Sequence, residues 1–305
     1  MRKGLLAVAL LAVAGLAAGW WLTAPRPLDE SDLPDRAGDA ENGRLVFFAA
    51  GCNSCHAAPK AKGEEKRRLG GGLALETPFG TFRAPNISTD PAFGIGGWSD
   101  LDFVNAVMRG VAPDGSHYYP AFPYRAYQRM AVADVLDLKA YMDTLPAVAE
   151  PSPGHDLPPL FNIRRGVGLW KRLYMDAPPP EVPPDADEVL RRGAYLVNGP
   201  GHCGECHTPR DWLGGPDMER AFSGGPAPEG DGTIPNITPH EDGIGDWSVN
   251  DIKTALRTGL LPEYESFGGS MVAVQENMAE LPESDREAIA RYLKSLPPLK
   301  SAGTE

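Results

Sequence analysis

Two pentads decide how this chain folds: Cys52-Asn53-Ser54-Cys55-His56 and Cys203-Gly204-Glu205-Cys206-His207. Together they use all four cysteines of the 305 residues. C-x-x-C-H is the attachment signature of c-type haem. The two thiols add to the haem vinyl groups as thioethers, which holds the adjacent histidine against the iron as its proximal ligand. Other readings account for less. Two C-x-x-C pairs would supply the four ligands of a structural zinc, but both histidines would then be unexplained and the halves fused around one ion. A thioredoxin-type dithiol needs a βαβ context that is missing. A chance match does not occur twice. The expectation is two covalent haem c groups, their irons held by His56 and His207.

Outward from the pentads the chain repeats itself. Pro85-Asn86-Ile87 lies 33 positions after Cys52, and Pro235-Asn236-Ile237 lies 32 after Cys203. Gly-Ile-Gly follows at 94–96 and 243–245, then Trp98-Ser99 and Trp247-Ser248, then Asp102 and Asp251 on short predicted helices that Gly110 and Gly259 stop. Each half closes with an amphipathic helix ending in Leu-Pro, over 132–144 and 283–295. Each half thus predicts helices before the pentad, after the tryptophan and at the end. The Asn-Ile-Ser and Asn-Ile-Thr triplets match glycosylation sequons, but their recurrence at one place in both repeats favours a pocket loop.

Between the halves, residues 150–186 are dense in proline and read as a semi-rigid spacer. A short basic helix is predicted inside it over 163–174. Its Arg164, Arg165 and Arg172 are either solvated or paired with haem propionates. At the N-terminus, Arg2 and Lys3 precede the uncharged apolar run from Gly4 to Leu22, which ends in Trp20-Trp21. That length spans a bilayer and paired tryptophans suit its interface, so an uncleaved anchor is expected. Ala17-Ala18-Gly19 offers the alternative, a cleaved signal. In both cases the positive end stays inside and the rest is exported. The apolar fraction of 42% suffices for folded cores, and 35 glycines and 31 prolines predict short helices joined by ordered loops. The net charge of −12 offers nucleic acid no footprint but leaves room for redox partners with a basic face. The stretch from Lys60 to Arg68 is either a docking patch or a solvated loop.

A methionine on the second axial position suits electron transfer, and an open position suits catalysis. Such a ligand must lie between the middle and last helices of its half. Met130 meets that condition in the first half, whereas Met108 and Met142 fall in predicted helices. Met271 and Met278 both meet it in the second. Met271 follows the flexible Gly269-Ser270 and is preferred. His117, His155, His202 and His240 have no repeat counterparts and are not expected to be ligands.

At these residues the chain resembles the mono- and dihaem cytochromes c of bacterial respiratory chains. It resembles more closely the cytochrome c subunits of membrane-bound alcohol, gluconate and aldehyde dehydrogenases. The markers span Glu41 to Pro298: C-x-x-C-H with a Pro-Asn-Ile loop, Gly-Ile-Gly-x-Trp-Ser, Tyr-Pro-Ala-Phe-Pro-Tyr at 119–124, and a closing Ala-Tyr-Met or Arg-Tyr-Leu helix. The resemblance implies an all-α fold of two tandem class I cytochrome c-like domains, each with one haem c, behind a transmembrane helix. The divisions are 1–25 anchor or signal, 26–40 linker, 41–149 first domain, 150–186 strap, 187–298 second domain and 299–305 tail. It also implies that the carbonyls of Pro85 and Pro235 accept hydrogen bonds from His56 and His207.

Two departures stand out. Many relatives carry their methionine ligand where this chain has Phe122, so Met130 would have to replace it. Relatives often hold three haems. The implied function is electron transfer from a dehydrogenase or quinol-oxidising chain to a cytochrome or terminal oxidase. The implied location is the bacterial inner membrane, single-pass, with the haem domains in the periplasm. The alternative is a dihaem enzyme, either a peroxidase or a thiosulfate-oxidising cytochrome.

Overall fold

The computed structural model describes residues 2–230 and 232–303. Met1, Asp231 and the last two residues of the expected tail lie outside the described residues. Helices come in the order α1 (Arg2–Leu22), α2 (Ala40–Ala49), α3 (Cys52–His56), α4 (Asp100–Val104), α5 (Tyr124–Tyr127) and α6 (Val132–Met142). After α7 (Val167–Tyr174) come α8 (Glu188–Asn198), α9 (Gly204–His207), α10 (Val249–Thr258), α11 (Met271–Ala279) and α12 (Glu283–Ser295). The structure is mostly helical, with helices before each pentad, after each tryptophan and at each closing segment, as the repeat predicts. Two antiparallel hairpins correct the all-α expectation: β1 (Ala74–Thr77) with β2 (Gly80–Arg83), and β3 (Gly225–Pro226) with β4 (Thr233–Ile234). At two to four residues these strands are too short for an alternating pattern to register.

In each half the helix before the pentad crosses the closing helix, α2 on α6 and α8 on α12. The crossings are close because one residue lacks a side chain. A Cβ on Gly43 would stand 1.8 Å from the Asp137 carbonyl oxygen, and one on Gly193 would stand 2.0 Å from that of Ala288. Asp39 and Asp187 cap the N-termini of α2 and α8, accepting from Glu41 N–H at 2.9 Å and Leu190 N–H at 2.8 Å.

The middle helices start alike. Ser99 and Ser248 each accept from the backbone N–H three residues on, and Asp102 and Asp251 accept in return, a reciprocal box that satisfies two otherwise orphaned donors. Gly110 and Gly259 end them at φ 58° and 75°. The first departs midway. At Asn105, α4 widens into a π-turn through Arg109, and the Asn105 side chain accepts from Leu28 N–H at 2.7 Å and donates to Leu28 O at 3.2 Å. The linker behind α1 is thereby tied to the first half.

Phe47, Val104, Val135 and Met130 from the first half and Leu196, Phe222, Ile289 and Tyr292 from the second belong to one continuous buried cluster. The strap between them is extended, interrupted by short 3₁₀ turns and α7. Its arginines grip α1. Arg165 donates to Trp20 O at 2.7 Å and Thr23 Oγ1 at 3.0 Å, and Arg172 to Leu22 O at 3.0 Å. Their guanidinium groups lie over the Trp20 and Trp21 rings at 4.0 and 5.3 Å. Arg164 donates to His117 O at 3.2 Å. The last carbonyls of a helix lack intrahelical partners and carry partial negative charge. Arg165 and Arg172 supply both needs and cap α1, whereas Arg164 reaches His117 O and the Tyr119 ring.

Gly193→Ala is expected to force α8 and α12 apart, lowering the unfolding free energy by about 1–3 kcal/mol, the usual cost of overpacking a core. Thermal unfolding followed at the Soret band measures it. An unchanged melting temperature would show that the crossing relaxes without cost.

Candidate haem sites

Each pentad begins just past a helix end, where the chain must turn sharply. Gly51, immediately before Cys52, takes φ 60°, and His202, immediately before Cys203, takes φ 39°. The left-handed conformation costs a glycine little and a histidine more. His202 is held there by its ring, whose Nε2 lies 3.3 Å from Ala50 O.

Both proximal histidines are oriented alike. His56 Nδ1 lies 2.8 Å from Pro85 O, and His207 Nδ1 lies 2.8 Å from Pro235 O. A carbonyl only accepts, so the proton sits on Nδ1 and the Nε2 lone pair is free to ligate a metal. Burial pushes both imidazoles below the usual histidine range, with the proline carbonyls partly opposing it. The neutral form, the one that ligates, is favoured.

The proline loops are themselves held. His56 O accepts from Gly71 N–H at 2.7 Å and His207 O from Gly224 N–H at 2.8 Å. Asn86 donates to Val148 O at 2.7 Å and Asn236 to Leu299 O at 2.6 Å. Both asparagines are 4% exposed, so the two sequons have no accessible amide and serve the loop.

The cysteines form no disulfide. Burial lifts Cys52 and Cys203 to about 12 and Cys55 and Cys206 to about 11. The thiols are therefore neutral in this apolar setting, the form that adds across a vinyl group as a thioether. Partly exposed apolar side chains pack on the core cluster at corresponding places in the two repeats: Ile87, Trp98 and Phe122 in the first half, Ile237, Trp247 and Met271 in the second. Met130 and Met278, by contrast, are each 4% exposed. Of the other histidines, His117 is buried with Nε2 2.9 Å from Thr23 O, and His155 accepts from Arg83 N–H at 3.1 Å. Neither reaches a pentad.

The two sites adjoin. Ala50 O, two residues before Cys52, accepts from Tyr127 Oη at 2.8 Å as well as facing His202. Asn277 from the second half donates to Ser54 inside the first pentad at 2.8 Å. Glu205, inside the second pentad, faces Arg125 of the first half at 3.3 Å and Arg210 at 2.8 Å. Burial alone would raise the Glu205 carboxyl, but the two guanidinium groups hold it below the usual range. Arg125 Nη2 and Arg210 Nε are buried with no hydrogen-bond partner among the described residues, leaving donors of the kind a propionate carboxylate accepts. These two arginines were missed in the sequence. Arg210 lies three residues beyond His207, the one local signal, and Arg125 sits within the Tyr-Pro-Ala-Phe-Pro-Tyr neighbourhood. In the Lys60–Arg68 stretch, Lys66 bridges to Glu276 of the second half and Arg67 pairs with Glu64, so part of that patch serves the fold.

Glu205→Leu leaves two guanidinium groups buried without a counter-charge. It is expected to cost about 3–5 kcal/mol of stability, measured by urea unfolding. A loss of less than ~1 kcal/mol, the scale of an exposed pair, would show that the arginines find other partners.

The family model "Cytochrome c" matches residues 40–146. A diheme cytochrome c-type protein of Cereibacter sphaeroides is 49% identical over 301 residues, 98% of this chain and 100% of that one. The cytochrome c subunit of a quinone alcohol dehydrogenase of Gluconacetobacter polyoxogenes is 36% identical, covering 85% of this chain and 56% of that subunit. The cytochrome c subunit of a gluconate 2-dehydrogenase of Pantoea cypripedii is 37% identical, covering 86% and 61%. The chain therefore spans a little over half the length of these dehydrogenase subunits. The pentads, the oriented imidazoles and these relatives agree: the chain belongs to the cytochrome c family, carries two haem c groups and transfers electrons through them.

Proposed function

We propose that the chain is a membrane-anchored conduit that passes electrons from a dehydrogenase or quinol-oxidising donor to a cytochrome or terminal oxidase. The haems lie in two tandem domains, residues 41–149 and 187–298. The observation that carries this reading is that the second half reaches the first attachment segment directly, through His202, beside the second pentad, at Ala50 O and through Asn277 at Ser54. Haem supplies the one-electron couple. The chain's residues fix where each couple sits: His56 and His207 ligate the irons through Nε2 while Pro85 and Pro235 hold the rings, and Met271 ligates the second iron. These contacts, partly buried, hold the two attachment segments beside one another.

The anchoring also belongs to this proposal. α1 has a mean hydropathy of 2.2 and no buried residue, long enough to cross a bilayer. Its last turn is built into the folded body through Arg165, Arg172 and Thr23, which supports retention over cleavage. Arg2 and Lys3 then stay in the cytoplasm and the haems face the periplasm. Docking partners follow from charge. At −12 before propionates, this surface steers toward a basic face. The enzymatic alternative of thiosulfate oxidation loses support because all four cysteines lie in the pentads.

Two measurements test the proposal. Stopped-flow reoxidation of the reduced protein by a basic acceptor cytochrome should slow as ionic strength rises, because salt screens the attraction; a rate independent of salt would remove the steering argument. Full-length protein should stay with inner membranes after a carbonate wash, and deletion of residues 2–22 should release it. Recovery of the full-length chain in the wash would overturn the anchor.

A further inference from the structure

The two halves keep one register through the segment that leads to the distal side. Residues 149 positions apart make the same hydrogen bonds. Trp98 N–H donates to Ile95 O and Trp247 N–H to Ile244 O; Gly110 N–H donates to Ala106 O and Gly259 N–H to Ala255 O. Tyr118 N–H donates to Gly110 O and Phe267 N–H to Gly259 O. Single bridges close the same loops, Val111 with His117 and Leu260 with Ser266. Carried four residues further, that register sets Phe122 against Met271. Both are partly exposed and pack on the edge of the core. Met130 falls outside this equivalence. It is 4% exposed, and its Cγ lies 3.7 Å from where a Cβ on Gly199 would stand. Its sulfur side chain is therefore turned into the contact with the second half, as buried as Met278.

No other ligating side chain of the first half replaces it. Met108 and Met142 are 6% and 3% exposed within helical segments, and His117 and His155 are engaged elsewhere. We propose that the first iron has no protein ligand on its distal side and is a binding site for a small exogenous ligand, a neutral diatomic in the ferrous state or a cyanide-like anion in the ferric state. Met271 closes the second iron. Binding is plain coordination: the ligand's lone pair enters the open position and no electron or proton changes hands.

The surroundings suit such a guest. Phe122 lies among the rings of Tyr118, Tyr124 and Tyr127, with centroids at 6.0, 6.2 and 5.8 Å. The Tyr118 hydroxyl makes no hydrogen bond among the described residues, and burial pushes it up to about 12. It is thus a neutral donor free for a bound diatomic and a poor ligand in its own right. Met130, expected from the sequence as the first iron's ligand, is in this reading a core residue.

The inference rests on the presence of two haems, so the test counts them separately. Pyridine haemochrome assay of full-length protein gives the haems per chain, and two are expected. Carbon monoxide titration of the reduced protein should then bind one equivalent per chain. Phe122→Met should abolish that binding and raise the potential of one haem. Met271→Ala should increase binding to two equivalents, and Met130→Leu should leave it at one. No carbon monoxide uptake by the wild type, or a new uptake caused only by Met130→Leu, would overturn the proposal. A haem count of one would instead overturn the dihaem reading.

Discussion

The rest of the structure depends on one hydrogen bond made twice, from the proximal imidazole Nδ1 to a loop proline's carbonyl. Two thioethers tether a haem but leave the histidine ring free to rotate. The carbonyl removes that freedom and selects the tautomer that ligates. Everything upstream serves it. The loop carrying the proline is pinned by a buried asparagine to the chain just after the closing helix. That helix is seated by the glycine crossing against the helix that leads into the pentad. The circuit runs from pentad to loop to closing helix and back, so a shift in one element is felt at the iron.

Duplication of this circuit explains both the likeness and the difference between the halves. The reciprocal caps, the left-handed glycines and the single bridges recur at constant spacing because each satisfies local backbone groups. Divergence appears where the halves meet something else. The π-turn at Asn105 answers the linker behind α1, and Glu205 with its two arginines occurs only where the second pentad faces the first half. The distal position falls in the same class. Phe122 occupies the place Met271 has in the second half, and the proposed difference between the two haems rests on that exchange.

The strap gains a role beyond spacing. The strap is tied down along its length, by Ser152, His155 and Asp156 near its start and by α7 further on. Arg165, just before α7, and Arg172 within it reach the end of α1 and the tryptophan rings there. This couples the apolar N-terminal helix to the haem-bearing body through several charge-assisted bonds, which restricts how the body tilts relative to that helix.

Much was legible in the sequence. Covalent chemistry allows few spacings, so the pentads, both histidines and the number of haems could be read directly. The repeat was legible because helix starts and stops are written in short-range signals such as Ser99 with Asp102 and Gly110. The apolar run at the N-terminus was legible from length alone. What the linear order could not supply was which partner each side chain meets across the fold. Arg165 and propionate are compatible in charge, and only the placement of α7 decided that Arg165 meets Trp20. Met130 satisfies every sequence condition for a ligand, and only the fold shows that it lies buried beside Gly199 of the second half. Glu205 reads as a variable residue inside a pentad until Arg125, eighty positions away, closes on it. A residue's bonding capacity is local and so is written in sequence, whereas its neighbours are set by how the two halves dock, which no spacing encodes.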